Sequence, residues 1–317
     1  MLKELKKYRR VKWFNQERIN NWLWFDVLRT IHFCLLFSNK VYNFVNRHQI
    51  KQFADTYSEY TPTKSEKKVL DQLKADGIAF ADISDFFETN MLDQLKNRFD
   101  RLSSLRGDAY MKDPSSYLKI LDLNGDICDD DTINEWVMCR SFINIASLYL
   151  ELVPRCSTKQ EYIVIPSSNP KTGAQLWHRD GSDKKIVKIF VYLNDVNEKN
   201  GPFRYLKGSH YKGVLRDIAA WTSAHVWERQ ERMDSNLEFY DELFEGRETV
   251  CTGKAGTVIF ADTSGFHRGG FCIEGSRSMI ELSFATEAAF ISHGPYKIPT
   301  SYSFPQDPVL KRAFGLL

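Results

Sequence analysis

Short apolar runs separated by turn residues dominate the second half of this chain, and they constrain its fold more than any other feature. Between the runs lie clusters of glycine, proline, asparagine and serine, which are typical of turns. Helices do not alternate regularly with the runs, so the sequence does not favour a parallel sheet with crossover helices. The pattern predicts a mainly β fold with packed helices, in which antiparallel strands form a sandwich or barrel. The predicted strands cover 77–83, 161–166, 174–177, 186–193, 203–206, 256–260 and 279–286.

The first sixty residues differ from the rest because they are basic, aromatic and nearly free of glycine and proline. Apolar residues at helical spacing predict a helical, basic N-terminal extension over 1–62, whose apolar stripe packs on the main domain. Contact of these helices with a membrane surface or a partner protein is the less favoured alternative. The main domain is predicted over 66–290, with a helical insertion near 211–250. Residues 291–317 are expected to form a tail that packs on this domain.

Composition and charge argue against several classes of protein. The 317 residues carry a net charge of only +2, which gives no reason to expect nucleic acid as a partner. The six cysteines form no Cys-x-x-Cys pair, a usage that suits free thiols in a reducing compartment. Neither a secretory signal nor a run of about 18 uncharged apolar residues is evident. These observations predict a cytoplasmic protein without a transmembrane span, and they leave the oligomeric state open.

The triplet His178-Arg179-Asp180 offers an imidazole and a carboxylate separated by one residue. On an extended segment, residues two apart project to the same side, so both groups can reach one metal ion. A lone triplet of this kind is more often a surface hydrogen-bonding pair. A further histidine, His267, follows a strand-like run, and Arg277 stands at the head of the next. Two histidines and one carboxylate leave three positions open on an iron, as in non-haem Fe(II) oxygenases.

Further motifs lie downstream of the triplet: Leu193-Asn-Asp-Val196, Asn200-Gly-Pro202 and Gly208-Ser-His210. Together with the triplet, they resemble the phytanoyl-CoA dioxygenase family of Fe(II)/2-oxoglutarate-dependent oxygenases, whose members carry these motifs in this order. The resemblance extends over about 70–285 and is most specific in 175–210 and 256–277. It implies a double-stranded β-helix core, which is a jelly roll of the cupin-like kind, with the helical extension at its N-terminus.

The resemblance also implies roles for individual residues. His178, Asp180 and His267 are expected to bind iron, and Arg277 is expected to pair with the distal carboxylate of 2-oxoglutarate. A planar guanidinium matches a carboxylate and stays charged when it is buried. Phe190 stands where the family often has a tryptophan beside the cosubstrate, so it is expected to line that pocket; an ordinary core aromatic is the alternative. The implied cofactors are Fe(II), 2-oxoglutarate as cosubstrate and O2, with ascorbate expected to help in vitro.

The implied function is hydroxylation, or another oxidation, of a small organic molecule with release of succinate and CO2. Related halogenases replace the carboxylate at the position of Asp180 with a small residue, so its presence here favours hydroxylation over halogenation. Two alternatives from other classes stay open. One is a metal-binding cupin-like isomerase or hydrolase in which Arg277 only bridges strands, and the other is a catalytically inactive interaction module.

Four residues are candidates for binding the substrate. Arg179 and Arg204 lie on segments expected near the active-site mouth. Arg216 and Trp227 lie on one face of a helix predicted within the insertion, which either points to solvent or lines the mouth as a lid. The positive charge of the arginines predicts that the substrate carries an anionic group.

Overall fold

The computed structural model describes residues 38–88, 90–106, 117–123, 131–169, 173–180, 183–215, 246–289, 296–298 and 302–317. The predicted helix of the insertion, with Arg216 and Trp227, and most of the predicted N-terminal extension lie outside these ranges. The helices of the described part are α1 Asn39–Val45, α2 Arg47–Tyr57, α3 Lys64–Asp76, α4 Met91–Arg106, α5 Thr132–Val137, α6 Arg140–Leu150 and α7 Pro308–Ala313. Its strands are β1 Ile78–Asp82, β2 Leu118–Leu123, β3 Arg155–Val164, β4 Val187–Tyr192, β5 Phe203–Leu206, β6 Glu248–Cys251, β7 Thr257–Asp262, β8 His267–Gly269 and β9 Arg277–Ala285.

The chain divides into two compact units, Met1–Val45 and Asn46–Leu317. Helix α1 belongs to the first unit, and every later element belongs to the second. Helix α2 is tied to the chain that follows β9, because Asn46 and Gln49 accept hydrogen bonds from the backbone N–H groups of Ala288 and Glu287. Among the described residues, no helix has both the length and the apolar character needed to cross a bilayer.

Two antiparallel sheets form the body of the second unit. The larger has the strand order β1-β7-β4-β9-β3-β2, and the smaller has the order β6-β5-β8. Phe190 and Tyr192 of the larger sheet share one buried cluster with Phe203 and Tyr205 of the smaller sheet, so the two sheets face each other across a common core. We call the side of the larger sheet that faces this core the inner face. The architecture confirms the predicted class, a mainly β jelly roll with packed helices.

Helices cover the opposite side of the larger sheet, which we call the outer face. Phe142 of α6 packs edge-on against Phe260 of β7, with ring centroids 5.7 Å apart. The hydroxyl of Tyr149, also on α6, donates to the carboxylate of Asp262 over 2.7 Å. Burial of apolar side chains from both layers provides the main stabilisation of this contact. It holds the end of β7, and with it the turn that leads to β8, in a fixed place.

Helix α3 shows how the sequence directs the chain into the first strand. Thr63 and Glu66 form a capping box at its start, which satisfies backbone N–H groups that have no partner within the helix. At its end, Gly77 adopts a left-handed conformation with φ of 79°, where a side chain would be strained. Strand β1 begins at the next residue.

Candidate metal centre

His178 and His267 are brought together by the backbone. Each residue donates its N–H to the carbonyl oxygen of the other, over 3.0 and 2.9 Å, in an isolated antiparallel bridge. The N–H of Asp180 donates to the carbonyl of Thr263 over 2.9 Å, which continues the pairing on the same segment. The two imidazole rings lie 4.2 Å apart. A strand of only three residues, β8, and one extended segment therefore place all three predicted ligands.

Hydrogen bonds fix the orientation of both imidazoles. The Nδ1 atom of His178 lies 2.8 Å from the carbonyl oxygen of Leu176, and that of His267 lies 3.0 Å from the carbonyl oxygen of Gly265. A carbonyl oxygen only accepts, so Nδ1 carries the proton in both rings. The lone pair is then on Nε2, which is the usual arrangement of a histidine that binds a metal.

The three side chains form a compact ligand set. One potential ligand atom from each of His178, Asp180 and His267 lies within 4.8 Å of the other two. Nε2 of His267 is 3.9 Å from Oδ1 of Asp180. Burial, together with the neighbouring His178, lowers the pKa of His267 to about 3, so this imidazole is neutral at neutral pH. Neutral imidazole and ionised carboxylate are the forms that bind metals.

Asp180 is the anionic member of the set. Burial by itself would raise the pKa of this carboxyl, but Lys188 and the two histidines outweigh that effect and hold the pKa well below its ordinary value. Two nitrogens and one carboxylate oxygen on one side of a metal suit Fe(II) in its facial three-residue coordination. The ligand types, the protonation states of His267 and Asp180, and the spacing of the three side chains fit such an ion.

Arg277 lies beside this ligand set at the start of β9. A Cβ atom built on Gly269 would be 3.7 Å from Nη2 of Arg277, so the guanidinium lies against β8, two residues from His267. The residue is only 4% exposed, and its Nε and Nη1 atoms have no hydrogen-bond partner among the described residues. A buried cation with unsatisfied donors is costly. This guanidinium therefore fits an anionic ligand such as the distal carboxylate of 2-oxoglutarate.

A family model for phytanoyl-CoA dioxygenase (PhyH) matches residues 75–271, which is more than half of the chain. The chain belongs to the phytanoyl-CoA dioxygenase family. It is accordingly a dioxygenase-type oxidoreductase. No curated protein sequence matches the chain.

Solved structures with a similar fold include three whose TM-scores lie just below 0.5. The non-haem α-ketoglutarate-dependent epimerase SnoN from nogalamycin biosynthesis is 14% identical, with 76% of this chain and 92% of that chain covered and a TM-score of 0.48. EctD from S. alaskensis with bound Fe is 15% identical, with 72% and 79% covered and a TM-score of 0.49. HygX from Streptomyces hygroscopicus with nickel and 2-oxoglutarate bound is 15% identical, with 71% and 88% covered and a TM-score of 0.47. Similarity at this level carries no argument about function.

Phe190 lies on the inner face of this family member, next to the ligand set. Its ring centroid is 4.9 Å from that of Phe203, which is in turn 5.6 Å from the ring of His267. The two phenylalanines thus form an apolar wall beside His267, and a phenyl ring there donates no hydrogen bond. Its expected place beside the cosubstrate stays a prediction.

The structure places the candidate substrate residue Arg204 away from the ligand set. Arg204 lies opposite Arg268 in the β5–β8 pair, whereas His267 lies opposite Tyr205. Neighbouring residues of a strand point to opposite faces, so both arginines point away from His267. Glu248 accepts hydrogen bonds from both, over 2.9 and 3.1 Å. Arg204 therefore has an anionic partner within the protein.

Arg179 also has protein partners. Its Nε donates to the carbonyl oxygen of Ser264, and its guanidinium carbon lies 5.9 Å from the ring centroid of Phe266. Arg179 and Arg204 therefore both have contacts within the protein, and their expected role in binding the substrate stays a prediction. Arg216 and Trp227 lie outside the described residues.

Two residues of the site were not predicted from the sequence: Lys188 on β4 and Glu281 on β9. The ammonium group of Lys188 lies 3.1 Å from Oδ2 of Asp180 and 2.9 Å from Oε1 of Glu281. A signal was present, since a lysine within the apolar run 186–193 requires an acidic partner if that run is a central strand. Which acid would be the partner depends on strand pairing, which the sequence does not reveal.

Proposed function

We propose that this chain is an Fe(II)/2-oxoglutarate-dependent dioxygenase that hydroxylates, or otherwise oxidises, a small organic molecule and releases succinate and CO2. The observation that carries the proposal is the compact ligand set of His178, Asp180 and His267 beside the buried guanidinium of Arg277, two of whose nitrogen atoms lack a partner. Membership of the phytanoyl-CoA dioxygenase family supports it.

Each residue of the site has a defined part in this proposal. The two Nε2 atoms and the carboxylate of Asp180 would hold Fe(II), and the planar guanidinium of Arg277 would bind the distal carboxylate of 2-oxoglutarate. When bound, iron supplies the activation of O2, and 2-oxoglutarate supplies electrons for its reduction. Phe190 and Phe203 would exclude water from the side of His267. A carboxylate at position 180 occupies the place that a halide would need, so hydroxylation is favoured over halogenation.

The substrate would reach the metal from the side of Asp180. The side chains of Asp180 and Lys188 are 22% and 21% exposed, whereas that of His267 is 5% exposed. Solvent therefore reaches the ligand set on the side of Asp180, and the substrate would take the same route. Arg179 and Arg204, from which an anionic group on the substrate was predicted, both have partners within the protein. The charge of the substrate and the cytoplasmic location stay predictions from the sequence.

Formation of succinate from 2-oxoglutarate tests the proposal. Protein reconstituted with Fe(II) is expected to bind one equivalent of metal and to form succinate slowly even without substrate. His178→Ala, Asp180→Ala and His267→Ala should each reduce this rate by more than about 100-fold, a larger loss than is usual for residues outside the ligand set. Asp71→Ala removes an exposed carboxylate from α3 and should have no effect.

The outcomes separate the alternative functions. An isomerase or hydrolase of the cupin-like kind would bind the metal and form no succinate. An inactive interaction module would bind neither metal nor 2-oxoglutarate. Normal succinate formation in one of the three alanine variants would remove that residue from the ligand set.

A further inference from the structure

Lys188 is an unusual residue for its position. It lies on β4, two residues before Phe190 and four before Tyr192, so all three side chains are on the inner face. Strand β4 is central in the larger sheet, paired with β7 on one side and β9 on the other. Placing an ammonium group there is costly unless anionic partners surround it. The two partners are Asp180 and Glu281.

The two oxygens of Asp180 face different groups. Oδ1 lies 3.9 Å from Nε2 of His267, within the ligand set. Oδ2 lies 3.1 Å from Nζ of Lys188. Because Oδ2 forms an ion pair with the ammonium group, Oδ1 is the oxygen that faces the histidine. The carboxylate is thereby oriented before any metal arrives.

Glu281 holds Lys188 in turn. Its Oε1 lies 2.9 Å from the ammonium group, and its Oε2 accepts a hydrogen bond of 3.4 Å from the hydroxyl of Tyr162. The ion pair between Lys188 and Glu281 is important because a lone cation beside the ligand set would repel a metal ion. Lys188 and Glu281 together carry no net charge. The pair can therefore orient Asp180 with little change in the electrostatic potential at the metal.

We propose that Lys188 is a positioning residue that keeps Asp180 a one-oxygen ligand, and that Glu281 anchors Lys188 for this purpose. The inference rests on the metal site of the proposed function. It adds a role for two residues outside the set of His178, Asp180, His267 and Arg277. Residues that orient a metal ligand commonly change metal affinity by about 10- to 100-fold when they are replaced.

The test replaces the pair without changing net charge. Lys188→Met/Glu281→Met is expected to weaken Co(II) binding by about 10- to 100-fold, measured by titration calorimetry on the full chain. The visible spectrum of bound Co(II) should also change, because a freed Oδ2 can join the coordination. Lys199→Met/Glu274→Met removes a similar pair from the surface, where the two groups are 2.8 Å apart, and should leave both measurements unchanged. Lys188→Arg keeps a cation that can donate to Oδ2 and should preserve most of the affinity.

The possible outcomes are distinct. Unchanged Co(II) affinity and an unchanged spectrum in the Met/Met variant would overturn the positioning role while leaving the proposed function intact. If the wild-type chain binds neither Co(II) nor Fe(II), the proposed function fails instead. If the Met/Met variant does not fold, Lys188→Met/Glu281→Gln keeps the net charge and a polar group near Tyr162, and the same two measurements decide.

Discussion

Two groups of charged side chains lie on opposite faces of the larger sheet. The first, the metal-site group, is on the inner face and consists of Asp180, Lys188, Glu281 and Arg277. The second, which we call the outer-face group, lies between α4 and strands β2 and β3 and consists of Arg98, Asp122, Lys159 and Glu161. Each group has two cations and two anions. They differ in whether each charge is paired with an opposite charge inside its own group.

In the outer-face group, every member has an ion-pair partner within the group. Lys159 bonds to Asp122 over 2.5 Å and also to Glu161, and Arg98 bonds to Glu161 through two nitrogens over 3.2 and 3.1 Å. All four side chains are at most 1% exposed. In the metal-site group, Arg277 keeps two nitrogen atoms without a partner. Buried charges that form ion pairs with one another connect the elements that carry them. A buried cation whose nitrogen atoms lack hydrogen-bond partners indicates instead a site for an anionic ligand.

Breaking the outer-face group should have the largest effect on stability. Glu161→Gln removes the anion that Arg98 and Lys159 share, so two buried cations are left with one carboxylate. The free energy of unfolding is expected to fall by about 3–5 kcal/mol, as when one partner of a buried ion pair is lost. Chemical denaturation of the metal-free chain measures it. A loss below about 1 kcal/mol would mean that the group is not functioning as a closed network.

Arg277→Leu should weaken the binding of 2-oxoglutarate without reducing the stability of the fold. Loss of the charge-assisted pair with 2-oxoglutarate is expected to cost about 2–5 kcal/mol of binding free energy. The dissociation constant for 2-oxoglutarate should then be roughly 30-fold to several-thousand-fold larger. The Tm of the metal-free variant should stay the same or rise, because the change removes a buried cation whose Nε and Nη1 lack partners. Titration of the Co(II)-loaded protein with 2-oxoglutarate measures the binding.

Arg268→Leu is the matched control for that measurement, since Arg268 lies on β8 but bonds to Glu248 on the other face. Its affinity for 2-oxoglutarate should match that of the wild type. Equal losses in the two arginine variants would contradict the assignment of Arg277.

Local features of the fold could be predicted from the sequence, and non-local ones could not. Strand β5 has the predicted bounds, and β4 lies within the predicted 186–193, because apolar runs bounded by turns identify buried strands. The strand predicted at 174–177 is wrong, since Gly173–Gln175 forms a 3-10 turn. The helical stretch before β3 is two helices that meet at Met138 and Cys139.

Strand β8 was missed for a physical reason. It is His-Arg-Gly, a run with no apolar alternation, and it is a strand because β5 and His178 pair with it. The same dependence on pairing explains the site. The ligand triplet is local and was predicted, whereas Lys188 and Glu281 meet only through the β4–β9 register. Arg277 could be assigned from the family pattern, but the two nitrogen atoms of its guanidinium that lack a partner among the described residues are a property of the fold.

Glu66 is a third kind of buried charge, because uncharged hydrogen-bond donors surround it instead of a cation. Glu66 is 1% exposed and accepts hydrogen bonds from Tyr60, the backbone of Thr63 and Asn144, over 2.7, 2.9 and 3.0 Å. Burial raises the pKa of this carboxyl, but these donors outweigh that effect and leave the pKa below its ordinary value. The stabilisation is therefore present above the unfolded pKa of about 4.3 and is lost as the pH falls through the folded pKa.

Glu66→Gln should reduce the free energy of unfolding by about 1–3 kcal/mol at neutral pH, and it should flatten the decline of stability below about pH 4.3. Urea unfolding at a series of pH values measures both. Thr63→Ala, which removes a cap but no charge, should lower stability by about 1 kcal/mol and keep the acid-dependent decline. If Glu66→Gln kept that decline in full, another carboxyl would be its source.

The smallest effect is expected where two charges are close but exposed. Lys199 and Glu274 are 2.8 Å apart, closer than Lys188 and Asp180 at 3.1 Å, yet their side chains are 62% and 69% exposed. Water screens such a pair, and ordering two long side chains offsets what attraction remains. Lys199→Met/Glu274→Met should therefore leave the Tm within experimental error at low and at high salt. Thermal melts of this variant, compared with those of Glu161→Gln, separate the effect of burial from that of distance. If the Tm of Lys199→Met/Glu274→Met were lower than that of the wild type by several degrees, distance alone would determine the contribution of an ion pair in this chain.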